Sequence, residues 1–279
     1  MAFNSELVIS QAISSVVLIP RVSVAVCDNA PGAGSLPASI DAARTAGIRI
    51  RTMVCPENPG FAVACNRLAS GSHADWLVFL NPDARIVSWP WTASAPPANT
   101  ILGGEQRTSH GDPLLTHGVE YTVRDEVRRS WFRRDPQRPV GAGFVGGGAL
   151  AIQRSLFNDL GGFDEQFFMF YEDIDLCFRA HEEGAKIIAC EQWEVIHDLG
   201  HSARRDLKSA LLGSYSSGRR FHRRHDNYLW TYDMYVATDA ALRALMWIAR
   251  RDPRSKPYRA VLRKAVLNLV SRKPESDQP

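Results

Sequence analysis

From Trp76 to Leu80 the segment Asp75-Trp-Leu-Val-Phe-Leu80 contains no polar residue, and no other feature narrows the possible folds as much. A strand with one wet face alternates polar and apolar residues. One that does not alternate is covered on both faces, as strands in helix-flanked sheets are. Two further β-branched runs lie upstream, at residues 22–27 and 48–54. Helix-period segments separate them: residues 4–18, with Ser5 as cap and Ile9, Ile13 and Val16 on one stripe, then 36–46 and 61–70. Strands alternating with helices at this spacing predict an α/β fold, doubly wound and Rossmann-like, with a mostly parallel sheet.

Residues 88–140, rich in Pro, Arg, Thr and Trp, break this rhythm and read as an irregular insertion with two edge strands. Order returns with a strand at 145–152, a helix at 154–160, a loop at 163–170, a helix at 173–183 and a strand at 186–190. From Ser202 onward the pattern is helical and basic. The chain therefore divides into a main domain, 1–201, and a C-terminal helical appendage, 202–279.

Bulk properties exclude several classes. No stretch approaches the ~18–20 apolar residues needed to span a bilayer, and the N-terminus lacks the basic-then-apolar plan of a signal peptide. Five widely spaced cysteines (Cys27, Cys55, Cys65, Cys177, Cys190) form no C-x-x-C pair. This argues against a disulfide scaffold or zinc site and for a reducing, cytoplasmic setting. Residues 1–197 hold 16 Lys/Arg against 22 Asp/Glu, whereas residues 198–279 hold 17 against 8. The basic tail is the part an anionic membrane or nucleic acid would attract; a solvated helical face is the alternative.

In open α/β sheets ligands bind at the carboxyl ends of strands. The polar residues found there are Asp28-Asn29, Asn81-Pro82-Asp83 and His197. By residue type Asp28 suits a base or ribose, Asp83 a divalent cation, and His197 the cation or a diphosphate. Each alone is a weak signal, since an Asp at a strand end is more often a helix cap.

Four ordered strings sharpen this reading: Pro56-Glu-Asn-Pro-Gly-Phe-Ala-Val-Ala-Cys-Asn66, Phe79-Leu-Asn-Pro-Asp-Ala84, Gly146-Gly-Gly-Ala-Leu150, and Gly161-Gly-Phe-Asp-Glu-Gln-Phe-Phe-Met-Phe-Tyr-Glu-Asp-Ile-Asp-Leu-Cys-Phe-Arg179. Together they resemble family 2 glycosyltransferases of GT-A fold, most closely the rhamnosyltransferase branch that builds bacterial surface polysaccharides, over residues 3–202. The resemblance implies transfer of a sugar, with inversion, from a nucleotide diphospho-sugar to a saccharide or lipid-linked saccharide, with dTDP-rhamnose a candidate donor and Mg²⁺ or Mn²⁺ the cofactor. It implies a nucleotide-sugar pocket built from Asp28, Asn58, Gly60, Phe61, Asn66, Asn81 and Asp83. Asp83 and His197 would hold the metal, Asn81 standing where many relatives carry a first aspartate. Gly147, Gly148, Asp175 and Arg179 would form the acceptor side, and the Glu172-Asp173 pair the catalytic centre, with Asp173 as general base. Read alone, Glu172-Asp173-Ile-Asp175 is equally an acidic helix start favoured by the macrodipole.

Other signals carry less. Gly141-Ala-Gly-Phe-Val-Gly146 fits G-x-G-x-x-G but follows Asp135-Pro-Gln-Arg-Pro139 and precedes a strand, the wrong setting for a dinucleotide site. His197 and His201 are split by a loop, and His181 has no partner histidine for a zinc protease motif. Arg219, Arg220, Arg223 and Arg224 lie among Tyr215, Phe221, Tyr228 and Trp230. They read first as a packed appendage and next as a membrane-interface helix, reinforced by Leu242, Leu245, Met246, Trp247 and Ile248 with Arg243, Arg250 and Arg251. Nucleic acid is the weaker partner. A sugar-1-phosphate nucleotidyltransferase would need an N-terminal Gly-rich loop, which is not visible, and a degenerate binding protein is the remaining alternative. The expected location is the cytoplasm, peripherally at the inner face of the cell membrane. Phe3-Asn4 resembles the end of the family's first strand, so that strand, central in the sheet, is expected to be absent from this sequence.

Overall fold

The computed structural model describes residues 8–29, 36–45, 47–118, 121–132, 143–198, 206–225 and 228–271. Phe3-Asn4, the Ser5 cap, Gly141, His201 and Ser202 lie outside the described residues. The chain forms two compact units: residues 1–120, 135–165 and 172–202, and residues 121–134, 166–171 and 203–279.

The first unit opens with helix α1 (Ile9–Ser15) and a 3₁₀ turn, Val16–Leu18. The expected stripe of Ile9, Ile13 and Val16 is buried. β1 (Val24–Asp28) follows, then α2 (Leu36–Thr45), β2 (Ile50–Val54), α3 (Phe61–Ser70) and β3 (Trp76–Leu80). β4 (Ala84–Ile86), β5 (Thr100–Arg107) and β6 (His117–Gly118) come next. After β7 (Phe144–Val145) the chain runs into β8 (Ala149–Gln153), a short helix α5 (Arg154–Asp159), α6 (Glu172–Glu182) and β9 (Lys186–His197). An α/β fold was expected from the sequence and is found.

The sheet is mixed rather than mostly parallel. β1 and β2 pair in parallel as a two-stranded sheet, while the main sheet runs β3-β8-β5-β9-β4. In it only β5 and β9 are parallel; β8 is antiparallel to both neighbours, and β4 to β9. The sequence hides this because Ala149-Leu-Ala-Ile152, fully buried, carries the same unbroken apolar pattern in either direction. Among the described residues no strand pairs with both β1 and β3.

Residues 88–140 also differ from expectation. They hold β5, which is central rather than an edge strand and is buried up to its last residue. Its Gly103-Gly104 pair is steric in origin. A Cβ on Gly103 would come 2.5 Å from the Val145 side chain, and one on Gly104 3.0 Å from Trp193. At this pair the register with β9 shifts, Gly104 facing Cys190 but Glu105 facing Glu194.

The second unit is helical: α4 (Val123–Phe132), α7 (Leu207–His225), α8 (Leu229–Ala249) and α9 (Ser255–Ser271). α9 packs along α8 around Val261, Ala265, Ala237 and Ala240. Polar groups are buried here in closed sets. Arg219 and the Tyr215 hydroxyl both reach Asp233 (2.8 and 2.6 Å), while Tyr171 and His222 both reach Glu126 (2.7 and 2.9 Å). Phe221 and Tyr215 are core residues, whereas Tyr228 and Trp230 are exposed. No described helix is long and apolar enough to cross a membrane.

Candidate functional site

The carboxyl end of β9 delivers His197, buried between the neighbouring strands β5 and β4. Its Nδ1 lies 2.6 Å from Oε1 of Gln106, on β5. With the carbonyl oxygen placed there, a neutral ring donates its proton from Nδ1. Nε2 is thereby left as a lone pair, 3.1 Å from Oδ1 of Asp83 and 3.4 Å from Nδ2 of Asn81. A bare imidazole nitrogen facing a carboxylate oxygen is an arrangement that a cation stabilises. An outer partner fixing the tautomer is the usual support of a ligating histidine. Asp83 and His197 thus fit a divalent ion that takes two protein ligands and fills its other positions with water or phosphate oxygens. Among the described residues no group of three or more His, Cys, Asp or Glu gathers to hold a metal alone.

A second cluster forms at the N-terminus of α6. Asp173 accepts from the backbone N–H of Gly147 (2.6 Å) and of Ile174 (2.8 Å), so both oxygens are oriented. Burial raises its pKa above the ordinary value, and the two N–H bonds oppose the rise. Glu172 is more deeply buried, and its Oε2 has no hydrogen-bond partner. Burial first, then the Asp173 charge, push its pKa well upward. Both effects favour the neutral form of Glu172, and Asp173 is the half-buried member of the pair.

Gly147 and Gly148 link these clusters. A Cβ on Gly147 would lie 3.3 Å from Asp173 Cβ, and one on Gly148 would lie 2.7–2.8 Å from Gln106 Oε1 and the His197 ring. The Gly148 carbonyl also accepts from Asn81 N–H at 3.0 Å. The dipeptide therefore runs between the Asp173 carboxylate and the His197 ring, where side chains would displace both.

Other expected site residues are placed differently. Asn66 is a clip: it exchanges two hydrogen bonds with the Phe163 backbone (2.8 and 3.0 Å) and donates to Glu165. Phe61 is buried edge-on against Phe163. Asp175 is fully buried and bonded to Arg179 Nε at 2.8 Å, while the other Arg179 nitrogens hold the Leu160 and Gly162 carbonyls. These four tie α3 and α6 to the loop at 160–165 rather than presenting groups to a ligand. Asp28, Asn29 and Asn58 gather beyond β1 and β2. Asn29 donates to the Asn58 side chain at 3.1 Å, and Asn58 adopts a left-handed backbone, φ 45°. Gly60, φ 91°, starts α3. Gln106 was not anticipated, because it lies in the stretch read as irregular. The buried run Thr100-Ile-Leu preceding it was the available signal.

A curated relative, N-acetylglucosaminyl-diphospho-decaprenol L-rhamnosyltransferase from Mycobacterium tuberculosis, is 31% identical over 229 residues, covering 70% of this chain and 73% of its own. The chain belongs to the family 2 glycosyltransferases, in the rhamnosyltransferase-like branch. No family model matches the chain. The fold of this glycosyltransferase is also that of a mannosyltransferase from Pyrobaculum calidifontis solved with GDP-Man and Mn²⁺. That likeness has a TM-score of 0.54 at 16% identity, covering 98% of this chain and 86% of the other. GalNAc-T7, solved with UDP, GalNAc and Mn²⁺, matches at TM-score 0.51 and 15% identity over 67% of this chain and 40% of its own. Both likenesses establish a GT-A fold.

Proposed function

We propose that this glycosyltransferase moves a rhamnosyl unit, with inversion, from a nucleotide diphospho-sugar such as dTDP-rhamnose to the N-acetylglucosamine of a diphospholipid-linked saccharide. The observation that carries the proposal is the oriented, reachable Asp173 carboxylate one residue along the Gly147-Gly148 step from the Asp83–His197 pair. Asp28, Asn29 and Asn58 would receive the base and ribose. Asp173 would take the proton of the acceptor hydroxyl as it attacks, a contribution of about 10²–10⁴-fold, and its raised pKa strengthens it as an acceptor. The upward shift at Glu172 favours its neutral form and so works against a second charge beside Asp173. A divalent ion bound by Asp83 and His197 would stabilise the charge developing on the departing diphosphate. Asp175, Arg179 and Asn66 would act by position, bracing the loop that precedes α6.

The acceptor's lipid implies contact with a membrane surface, and α8 supports it. Leu242, Leu245, Met246 and Ile248 are exposed, with Arg243, Arg250 and Arg251 nearby in sequence. Trp247 lies under Arg254, 3.6 Å from the ring centre. Such a face suits an anionic interface.

The test is a donor screen in Mn²⁺ and in Mg²⁺ with a polyprenyl-diphosphate-linked N-acetylglucosamine acceptor, read by product mass and by the anomeric configuration. Product from dTDP-rhamnose with an inverted linkage is expected. Turnover only with UDP- or GDP-sugars, or retention, would overturn the donor or the stereochemistry. Binding without turnover in any combination would favour the degenerate alternative.

A further inference from the structure

Two adjacent residues just before the candidate base hold a strained backbone. Phe170 and Tyr171 have φ of 70° and 69°, the left-handed region that residues with a Cβ rarely adopt. Among the described residues the other non-glycine cases are Arg21, Asn58, Asn99 and Arg251. Those occur singly, so Phe170-Tyr171 is the one adjacent pair among the described residues, and both members are bulky aromatics. Such a conformation persists only where the surroundings over-determine it. The next two residues, Glu172 and Asp173, open α6.

The groups that hold the pair lie in the helical unit, to which residues 166–171 belong. Tyr171 is buried, its ring edge-on to Tyr121 with centroids 5.4 Å apart and tilted against Phe221 at 5.8 Å. Its hydroxyl donates to Oε1 of Glu126 at 2.7 Å and lies 3.3 Å from the Tyr232 hydroxyl. His222 Nε2 lies 2.9 Å from that same Glu126 oxygen. Burial first, then the Glu126 charge, push the Tyr171 pKa well upward, so the phenol stays protonated and donating. Gly218 on α7 leaves room for it, since a Cβ there would lie 2.8 Å from the Tyr171 Oη. Ser217 donates to the Met169 carbonyl at 2.9 Å, and Arg220 reaches the Gln166 side chain. The segment is thus tied at Gln166, Met169 and Tyr171 by bonds that no step of the proposed transfer uses.

We propose that Tyr171 is a positioning residue for transfer, a role that rests on Asp173 being the base. Its hydroxyl, clasped by Glu126 and His222, fixes the left-handed entry into α6 and thereby the place at which Asp173 presents its carboxylate. The link is covalent: one peptide bond joins Tyr171 to Glu172, and Asp173 follows in the same first helical turn. The carboxylate is seated by the N–H groups of Gly147 and Ile174, and both bonds depend on how that first turn is set. Without the hydroxyl bonds, Phe170 and Tyr171 relax towards the right-handed or extended regions, and the first turn of α6 moves with them. A misplacement of about 1 Å in a reacting group costs on the order of 10²-fold in rate.

The experiment compares Tyr171→Phe, which removes one oxygen, with Tyr215→Phe. The second variant removes another buried hydroxyl of the same unit, one bonded instead to Asp233 at 2.6 Å and Asn268 at 2.9 Å. One readout is amide hydrogen exchange at Gly147 and Ile174, which is independent of activity. The other is kcat and donor KM for transfer from dTDP-rhamnose to polyprenyl-diphosphate-linked N-acetylglucosamine. Tyr171→Phe should speed exchange at both amides by tenfold or more. It should lower kcat about 10–100-fold with donor KM within twofold of the parent. Tyr215→Phe should lower the melting temperature and leave exchange at the two amides and kcat within about twofold, as expected of a bond that only holds the fold. If Tyr171→Phe does not fold, Glu126→Gln, which keeps the shape and removes the charge, should change the same quantities in the same direction. Unchanged exchange at Gly147 and Ile174 would overturn the proposal, as would equal effects in Tyr215→Phe. So would an ordinary kcat in Tyr171→Phe beside an inactive Asp173→Asn. Ordinary transfer by Asp173→Asn would instead overturn the reading of Asp173 as base, and exchange at the two amides would still decide whether Tyr171 sets that carboxylate.

Discussion

Two sets of buried polar residues in this molecule look alike by composition and differ in what they leave open. In the helical unit Asp233 receives both Arg219 and Tyr215, and Glu126 receives both Tyr171 and His222. Each acceptor there faces donors. In the α/β unit His197 Nε2 lies 3.1 Å from the Asp83 carboxylate, and Gln106 Nε2 and Glu172 Oε2 have no hydrogen-bond partner. A network that holds a fold closes on itself, because each unmade buried bond costs about 1–3 kcal/mol. A network kept open at that cost is positioned for something that arrives later.

The contrast can be broken most severely at Asp173. Asp173→Asn should lower turnover by about 10²–10⁴-fold with donor affinity in Mn²⁺ retained. Single-turnover kinetics beside calorimetric titration would check it, and matching losses in both would make Asp173 structural. At the closed network, Asp233→Ala should cost about 3–5 kcal/mol of stability, since it removes the carboxylate from a buried guanidinium. Denaturant unfolding measures this, and a stability loss under 1 kcal/mol would show that the two networks do not differ as described.

Gln106→Leu should weaken Mn²⁺ affinity about 10–100-fold by releasing the His197 tautomer, with a smaller effect on stability. Metal titration of the variant decides, and unchanged affinity would remove His197 from the cation site. The smallest effect concerns pH. The folded protein holds the Glu172 proton above the group's ordinary value near 4.5. Between that pH and its raised value the native state binds more protons than the unfolded chain, so this group makes stability fall as pH rises. Glu172→Gln should flatten that slope in a melting-temperature series, and an unaltered slope would mean that Glu172 ionises normally. Transfer rate should fall in the opposite direction, as acid protonates Asp173 at a pH above the usual aspartate range.

Periodicity made much of the fold legible. α3 has the bounds the sequence predicts, and β3 differs by one residue. What periodicity cannot carry is strand direction, so a mostly parallel sheet was expected although β8 is antiparallel to both neighbours. It also fails where a strand must be thin. Gly103-Gly104 makes room for Val145 and Trp193 and thereby erases the apolar signature of β5, and with it the role of Gln106. The site was legible as a set of residue types but not as a division of labour. Asn66, Asp175 and Arg179 carry polar groups whose use against backbone carbonyls or neighbouring side chains depends on where the loop at 160–165 passes, which local sequence does not fix.

Gly147 and Gly148 carry a last consequence. Consecutive Cα atoms are a fixed 3.8 Å apart across a trans peptide, and here one such unit is the gauge between the carboxylate end and the imidazole end. Packed side chains creep by fractions of an ångström when neighbours are exchanged, but a covalent link does not. The Gly147 end is held to Asp173 by a hydrogen bond and the Gly148 end lies against the His197 ring, so one peptide unit sets the spacing of the two points of support. A lineage built on this chain could change the sugars it accepts by altering the walls while its calliper stayed set.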